Sequence, residues 1–380
     1  MIEWATSTNI MPPTGTIIVV AAARPNFMKV APILRELDYR KIHSTLVHTG
    51  QHYDANLSDI FFEDLNLRQP EIHLGIGSGS HAFQTGRVME AFDQVLEKID
   101  SRCVVVVGDV NPTLACSLTA VKRHVPVAHV EAGLRSRDRT MPEEINRIAT
   151  DVICDLLLTT SADADDNLVQ EGIPLSRIHR VGNVMIDSLL HGVERCSGHF
   201  RRATGREFPE NYAVVTLHRP SNVDHPERLQ TLLDQLDASA KVLDLVWPIH
   251  PRARTRLQEF GMWDALNNHS RIHMVDPLGY LAFIDLMISS SIAITDSGGL
   301  QEETTVLGIP CLTIRDNTER PITIDRGTNV LITSDKLTTL PEIVAMKATA
   351  PPHIQNLGIE GWDGKAASRV VQVLIDLIGE

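Results

Sequence analysis

An unbroken apolar run, 103–107, and a second apolar run, 125–130, flank a helical segment that begins near Pro112. Runs this short and this apolar read as strands buried on both faces, and the stretch between them is long enough for a crossover helix. Such a unit sets its strands parallel, so both end on one edge of a sheet, where open α/β folds bind ligands. A carboxylate stands at each exit: Asp109 follows Gly108, and Glu131 follows Val130. Glu143 and Glu144 come directly after Pro142, as the first turn of a further helix would. These acids are candidates for one pocket. Helix capping by Asp109 and a favourable dipole contact for Glu143 and Glu144 are the structural alternatives.

The same alternation runs along the chain. Residues 17–21, 44–49, 72–74, 155–160 and 178–181 read as further strands, and a second series follows at 212–217, 243–248, 272–275, 292–295 and 311–314. Helix-like segments separate the strands, so the expectation is an α/β protein built on doubly wound parallel sheets. A chain of 380 residues exceeds one ordinary core. The polar stretch 196–210, with Gly198, Gly205 and Pro209, places the junction there or slightly earlier. A final helix, 365–378, has an apolar stripe that suits packing on either domain.

Bulk properties exclude several classes. A formal net charge of −13 argues against nonspecific binding to nucleic acid, while leaving room for a local basic site for a small anion. No apolar stretch reaches membrane-spanning length. Glu3 is the only charged side chain among the first sixteen residues, which lack the basic start and long apolar core of a signal peptide, so the cytoplasm is expected. The five cysteines are scattered, mostly in apolar runs, and read as core thiols. No G-x-G-x-x-G follows the first strand, and no compact Cys/His ligand set is present; neither NAD nor a metal is expected.

Cationic and N–H-rich segments stand where strands end. Arg24 and Lys29 follow the first strand at an incipient helix, a layout that suits phosphate, although Lys29 also fits a solvated helix position. Gln51, His52 and Tyr53 follow the second strand and suit ligand contact or a turn equally. Gly77 and Gly79 form either an anion-accommodating loop or a plain one. In the second series, His218-Arg219 and His250-Pro251-Arg252 occupy strand exits. Asp296-Ser297-Gly298-Gly299 precedes a helix, where a hydroxyl and free backbone N–H groups can meet phosphate; ordinary capping of the helix by Asp296 or Ser297 is the structural alternative and is compatible with that role. Glu302 and Glu303 lie about one turn inside, within reach of a ribose hydroxyl, and Arg315, Arg320 and Arg326 follow the last strand. Cationic exits in both domains suggest a phosphorylated ligand held in the cleft between them.

These blocks resemble the non-hydrolysing UDP-N-acetylglucosamine 2-epimerases. The likeness covers roughly 17–332 and rests on ARPNFMKVAP, GD followed by TLA, HVEAGLR, PEEINR, GNVMID, the His-Arg after 212–217, TDSGGLQEE and RDNTERP. It implies two Rossmann-like domains facing across a cleft, a glycosyltransferase-B-like build. Residues 1–190 would form the first, completed by a C-terminal helix at about 362–380, and 191–361 the second, UDP-binding one. It also implies a homodimer that interconverts UDP-GlcNAc and UDP-ManNAc without cofactor. By the resemblance, Arg24, Lys29, Phe283, Ser297, Gly298, Gly299, Glu303 and Arg320 hold UDP. Asp109, Glu131, Glu143 and His218 surround the reacting sugar. Gln51, His52, Arg219 and His250 resemble parts of a second site, where UDP-GlcNAc acts as an activator. The chain departs from the pattern at Asn26, where Glu is common, at GDVNPT in place of GDTTTT, at Leu278 in place of a Gln near the uracil, and around 77–81.

The implied chemistry loses UDP from C1 and a proton from C2, giving 2-acetamidoglucal, to which UDP re-adds with protonation on the other face. Two faces require two proton-transfer sites, for which Asp109 and Glu131 are the leading pair, with Glu143 transferring protons or tuning its neighbours. Arg24, Lys29, His218 and the Ser297 helix start suit the departing β-phosphate. A hydrolysing epimerase, a glycosyltransferase of the same build and a UDP-sugar sensor are the rival readings.

Overall fold

The computed structural model describes residues 3–4, 15–22, 24–50, 60, 62–348 and 358–379, and of Glu3, Trp4 and Arg24 the backbone alone. The chain divides into two compact units, Met1–Leu190 with Ile359–Glu380, and His191–Gly358. Each is Rossmann-like: a parallel sheet with helical crossovers between its strands.

The first unit holds an eight-stranded sheet in the order Glu3–Trp4, Ile72–His73, Ser44–His48, Thr16–Ala21, Ser101–Val107, Val127–Ala132, Leu156–Thr159, Ile178–Arg180. Every neighbouring pair is parallel except the first, which is antiparallel. Strands buried on both faces explain the unbroken Ile/Val runs, with Ile17 to Val19 and Cys103 to Val106 sealed from solvent. Sequence order reverses between Thr16–Ala21 and Ser101–Val107, and such a switch point opens a crevice beyond the strand ends.

The apolar run at 125–130 is displaced from the strand it announces. Pro126 has no N–H for the ladder, so the strand begins at Val127, and it continues through Glu131 to Ala132. Its register shifts between Val130 and Ala132, and Glu131 takes a positive φ of 69°. Glu131 is thus a bulged strand residue rather than one past the strand end, which re-aims its side chain.

The helix Arg24–Tyr39 contains Pro32. A helical proline leaves the carbonyl four residues back without its amide donor. Here the Ser188 hydroxyl donates to the Met28 carbonyl at 2.5 Å. The C-terminal helix Ala366–Ile378 packs on Arg24–Tyr39 and so completes the first unit. Arg40 donates to Ser368 Oγ and Gln372 Oε1, both at 2.9 Å. At the other end, Asp187 accepts from the amides of Ala366 at 3.1 Å and Ala367 at 2.7 Å. Asp187→Ala should therefore lower stability by about 0.5–2 kcal/mol, while Asp187→Asn, which still accepts, loses less. Denaturant unfolding of the three proteins is the measurement; an unchanged midpoint in the alanine variant contradicts the capping role.

The second unit has six parallel strands in the order Ile272–Val275, Asp244–Pro248, Tyr212–Thr216, Ile292–Thr295, Cys311–Thr313, Asn329–Leu331. Its switch point lies between Tyr212–Thr216 and Ile292–Thr295. Leu229, Leu232, Leu233 and Leu236 give the helix Pro226–Ala240 an apolar face in one core with Leu245 and Trp247. No helix among the described residues is long and apolar enough to cross a membrane.

Candidate functional site

In the first unit the switch point gathers charge. The exit of Ser101–Val107 turns through Gly108 at a φ of 67°, and a Cβ there would lie 2.9 Å from Lys29 Nζ. Glycine is needed both for the turn and for the approach of that ammonium. Lys29, on the first helix, is ion-paired with Glu131, and both are buried. Arg147, only 1% exposed, pairs with Asp109 through Nη2, which also lies 4.0 Å from Glu131. Asn146 donates to the Asp109 carbonyl at 2.9 Å. The result is a row of alternating charge, Lys29, Glu131, Arg147, Asp109. Two cations against two carboxylates leave it neutral, the condition for holding this much charge away from water.

Helix Pro142–Ile153 supplies Asn146 and Arg147 and presents its first-turn acids differently. Glu144 is buried and accepts from Ser136 N at 2.8 Å, Ser136 Oγ at 3.0 Å and Arg137 N at 3.0 Å, so it organises the loop before the helix. Glu143 is exposed and stands outside the buried row. Asn26 accepts from Ala22 N at 3.2 Å and donates to the Val107 carbonyl at 3.4 Å, tying the two switch-point strands together. Gln51 and His52 lie outside the described residues.

In the second unit the switch point gathers donors around one buried carboxylate. Asp296 follows the strand Ile292–Thr295 and accepts from His218 N at 3.1 Å, Arg219 N at 2.9 Å and Asn222 Nδ2 at 3.2 Å. His218 Nδ1 lies 2.9 Å from Asp296 Oδ1. Burial alone would raise the Asp296 carboxyl, but His218, the Arg219 amide and Asn222 hold it below its ordinary value. An ionised Asp296 fixes the His218 ring through Nδ1 and turns Nε2 outward, as a carboxylate does for a working imidazole. Arg219 Nε donates to the Asp296 carbonyl at 3.0 Å, and the His250 ring centroid lies 5.2 Å from that of His218. His250 also caps the helix Pro251–Glu259, accepting from Arg252 N.

Ser297 is the N-cap of the helix Gly298–Leu307, with Ser297, Gly298 and Gly299 all partly exposed. A Cβ at Gly298 would come 2.8 Å from Arg320 Nη1, so the guanidinium sits directly over the helix start. Arg320 pairs with Glu302 and with Glu319, each at 3.1 Å. Phe283 lies partly buried on the helix Tyr280–Ile288, against the cluster of Phe200, Tyr212, Val214, Val246 and Leu286. Glu303 is buried one turn into the Gly298–Leu307 helix. Burial pushes its carboxyl up to about 8, the like charge of Glu302 adds to this, and the Tyr280 hydroxyl opposes it. A neutral Glu303 therefore keeps its proton where the unfolded chain, near 4.5, has released it. The stability it contributes is full below that value and is lost as pH rises through about 8. The unfolding free energy of wild type relative to Glu303→Gln should fall across this window; parallel pH profiles would contradict it.

The sequence does not single out Arg147, and it does not distinguish Asp296 from an ordinary helix cap. Among the described residues, no group of three or more His, Cys, Asp or Glu is placed to hold a metal ion.

Two Rossmann-like units, the first completed by the C-terminal helix, make this a protein of glycosyltransferase-B-like build, with acids at one switch point and anion-binding donors at the other. Proteins of known activity share both its sequence and its fold. The family model for UDP-N-acetylglucosamine 2-epimerase matches residues 35–375. The UDP-N-acetylglucosamine 2-epimerase of Methanocaldococcus jannaschii is 40% identical over 366 residues, covering 94% of this chain and 98% of its own. The crystal structure of the M. jannaschii epimerase in complex with UDP-GlcNAc and UDP matches with a TM-score of 0.85 at 38% identity, over 95% of this chain and 99% of that one. The UDP-2,3-diacetamido-2,3-dideoxy-D-glucuronate 2-epimerase of Pseudomonas aeruginosa is 37% identical over 365 residues, 95% of this chain and 99% of its own. The chain belongs to the UDP-N-acetylglucosamine 2-epimerase family, and it is an enzyme.

Proposed function

We propose that the protein interconverts UDP-GlcNAc and UDP-ManNAc without net hydrolysis, and that Asp109 and Glu131 handle the protons at C2. The observation that supports this most directly is the row Lys29, Glu131, Arg147, Asp109, which pairs a buried and a partly exposed carboxylate with cations at one switch point. The C2 proton of the sugar is barely acidic, so the reaction needs an accompanying departure. A carboxylate takes the C2 proton while the C1–O bond breaks, its electron pair leaving with UDP, and C1=C2 forms. UDP then adds back at C1 as an acid returns a proton to the opposite face of C2. Charge appears on the β-phosphate during elimination, and the Ser297 helix start with Arg320 above it is suited to that charge. His218, oriented by Asp296, is suited to donate to the same leaving group. Glu143 belongs to the proposal as a reserve proton carrier, since its exposure leaves it accessible to substrate.

Several finer elements rest on the resemblance and are part of the same proposal. Arg24, Phe283 and Glu303 would contact UDP, Arg219 and His250 with Gln51 and His52 would hold an activating UDP-GlcNAc, and the working form would be a homodimer. We place the enzyme in the cytoplasm, a reducing compartment that suits its buried free thiols.

The Pseudomonas likeness favours a second substrate reading, a UDP-linked diacetamido uronate. The enzyme should be incubated separately with UDP-GlcNAc and with UDP-2,3-diacetamido-2,3-dideoxy-D-glucuronate, and the products read by NMR. Equilibration of UDP-GlcNAc with UDP-ManNAc is the expected outcome. Turnover of the uronate alone moves the assignment to that substrate, and accumulation of free UDP with N-acetylmannosamine makes the enzyme hydrolysing.

A further inference from the structure

Behind the two acids lies a buried network that the reaction as written leaves unused. His129 is wholly buried on the strand Val127–Ala132. Its Nδ1 lies 2.7 Å from the Asp151 carboxylate and its Nε2 lies 2.7 Å from the Gly108 carbonyl oxygen. Both partners are acceptors. A neutral imidazole has one N–H, so one of these contacts would set a ring lone pair against an oxygen lone pair. The doubly protonated ring donates to both.

The surrounding charges fit that form. Asp151 also meets Arg135 Nη1 at 2.7 Å and accepts from Gly133 N at 3.1 Å, while Arg135 pairs with Glu171 at 2.7 Å. With an imidazolium, His129 and Arg135 balance Asp151 and Glu171. Burial would raise the Asp151 carboxyl, but His129 and Arg135 hold it below its ordinary value.

The placement matters because of what the ring holds. The Gly108 carbonyl belongs to the peptide that leads into Asp109, at the left-handed turn. One helix, Pro142–Ile153, grips this segment at three points. Asn146 donates to the Asp109 carbonyl, Arg147 pairs with its carboxylate, and Asp151 acts through His129 on the Gly108 carbonyl. We propose that His129 is a doubly protonated positioning residue, a fixed cation that locks the Gly108–Asp109 peptide so that Asp109 meets C2 in the geometry for proton transfer. This rests on the reading of Asp109 as a proton carrier.

Two measurements on the full-length enzyme test it. In ¹⁵N-histidine-labelled wild type, with the resonances assigned by their loss in His129→Gln, both ring nitrogens of His129 should carry a proton under the conditions of the assay. A pyridine-like nitrogen at His129 overturns the proposal, and where His129→Gln does not fold, His129→Asn supplies the assignment. In His129→Gln and His129→Asn, which each donate to one acceptor at most, kcat should fall by roughly 10²-fold with KM for UDP-GlcNAc little changed. Wild-type kcat and wild-type C2 deuterium exchange in both variants would also overturn it. An error in the assignment of Asp109 gives a different pattern: Asp109→Asn would keep exchanging at C2 while the His129 spectrum stayed that of an imidazolium.

Discussion

Asp109→Asn and Glu131→Gln should each lower epimerase turnover by about 2–4 orders of magnitude, the range associated with removing a positioned acid or base. Both substitutions preserve size and remove the basic oxygen. In D2O, wild type should place deuterium at C2 of the recovered sugar nucleotide, and each variant should place far less. UDP should still bind, because the Ser297 helix start and Arg320 belong to the other unit. A complication has a physical origin and can be measured. Asp109→Asn leaves Arg147 facing Glu131 at 4.0 Å, and Glu131→Gln takes from Lys29 its buried carboxylate, so both variants are expected to lose stability. Turnover must therefore be normalised to folded protein. Rapid C2 exchange in both variants would remove them as proton carriers and shift the chemistry to Glu143 or His218.

The fold was legible where apolar runs are long. Strands sealed on both faces show as unbroken runs at 17–21 and 103–107, and these form the centre of the first sheet. The strand Asn329–Leu331 did not register, because three edge residues opening on a polar side chain make no apolar signal. Strand order was not legible either. The switch points arise from pairing across distant sequence, Thr16–Ala21 beside Ser101–Val107 and Tyr212–Thr216 beside Ile292–Thr295, which periodicity does not encode.

Candidate acids were legible because a carboxylate that ends an apolar run is unusual; their cations were not. Arg147 in PEEINR lies four residues after Glu143, the spacing of an ordinary surface pair on a helix. Tertiary packing turns it the other way, so Arg147 is buried while Glu143 is exposed. The adjacent Glu144 is drawn inward by the amides of Ser136 and Arg137, a loop contact that spacing alone does not reveal. Asp296 was similar: a helix cap and a histidine-orienting carboxylate look alike until His218 is found 2.9 Å away.

Arg147→Met should be among the most disruptive single substitutions in the protein. The side chain is 1% exposed and faces both proposed acids, so an apolar replacement of similar length fills the space and leaves two carboxylates beside one remaining cation, Lys29. Removing one partner of a buried ion pair costs about 3–5 kcal/mol, since the remaining charge stays desolvated. Asp109 is 24% exposed at its side chain and can recover some hydration, which places the expectation towards the lower end of that range. Arg147→Lys retains the charge but loses the planar fork, so it should recover stability more than rate. Denaturant unfolding measures the first effect. The second requires turnover of folded protein, well below the unfolding transition, where both variants should be slower by roughly 10²-fold because Asp109 is no longer held in place. Deuterium exchange at C2 separates this from simple loss of fold, since folded Arg147→Met should exchange as slowly as it turns over. A folded Arg147→Met enzyme with wild-type turnover and wild-type exchange would show that Arg147 serves only to neutralise the interior.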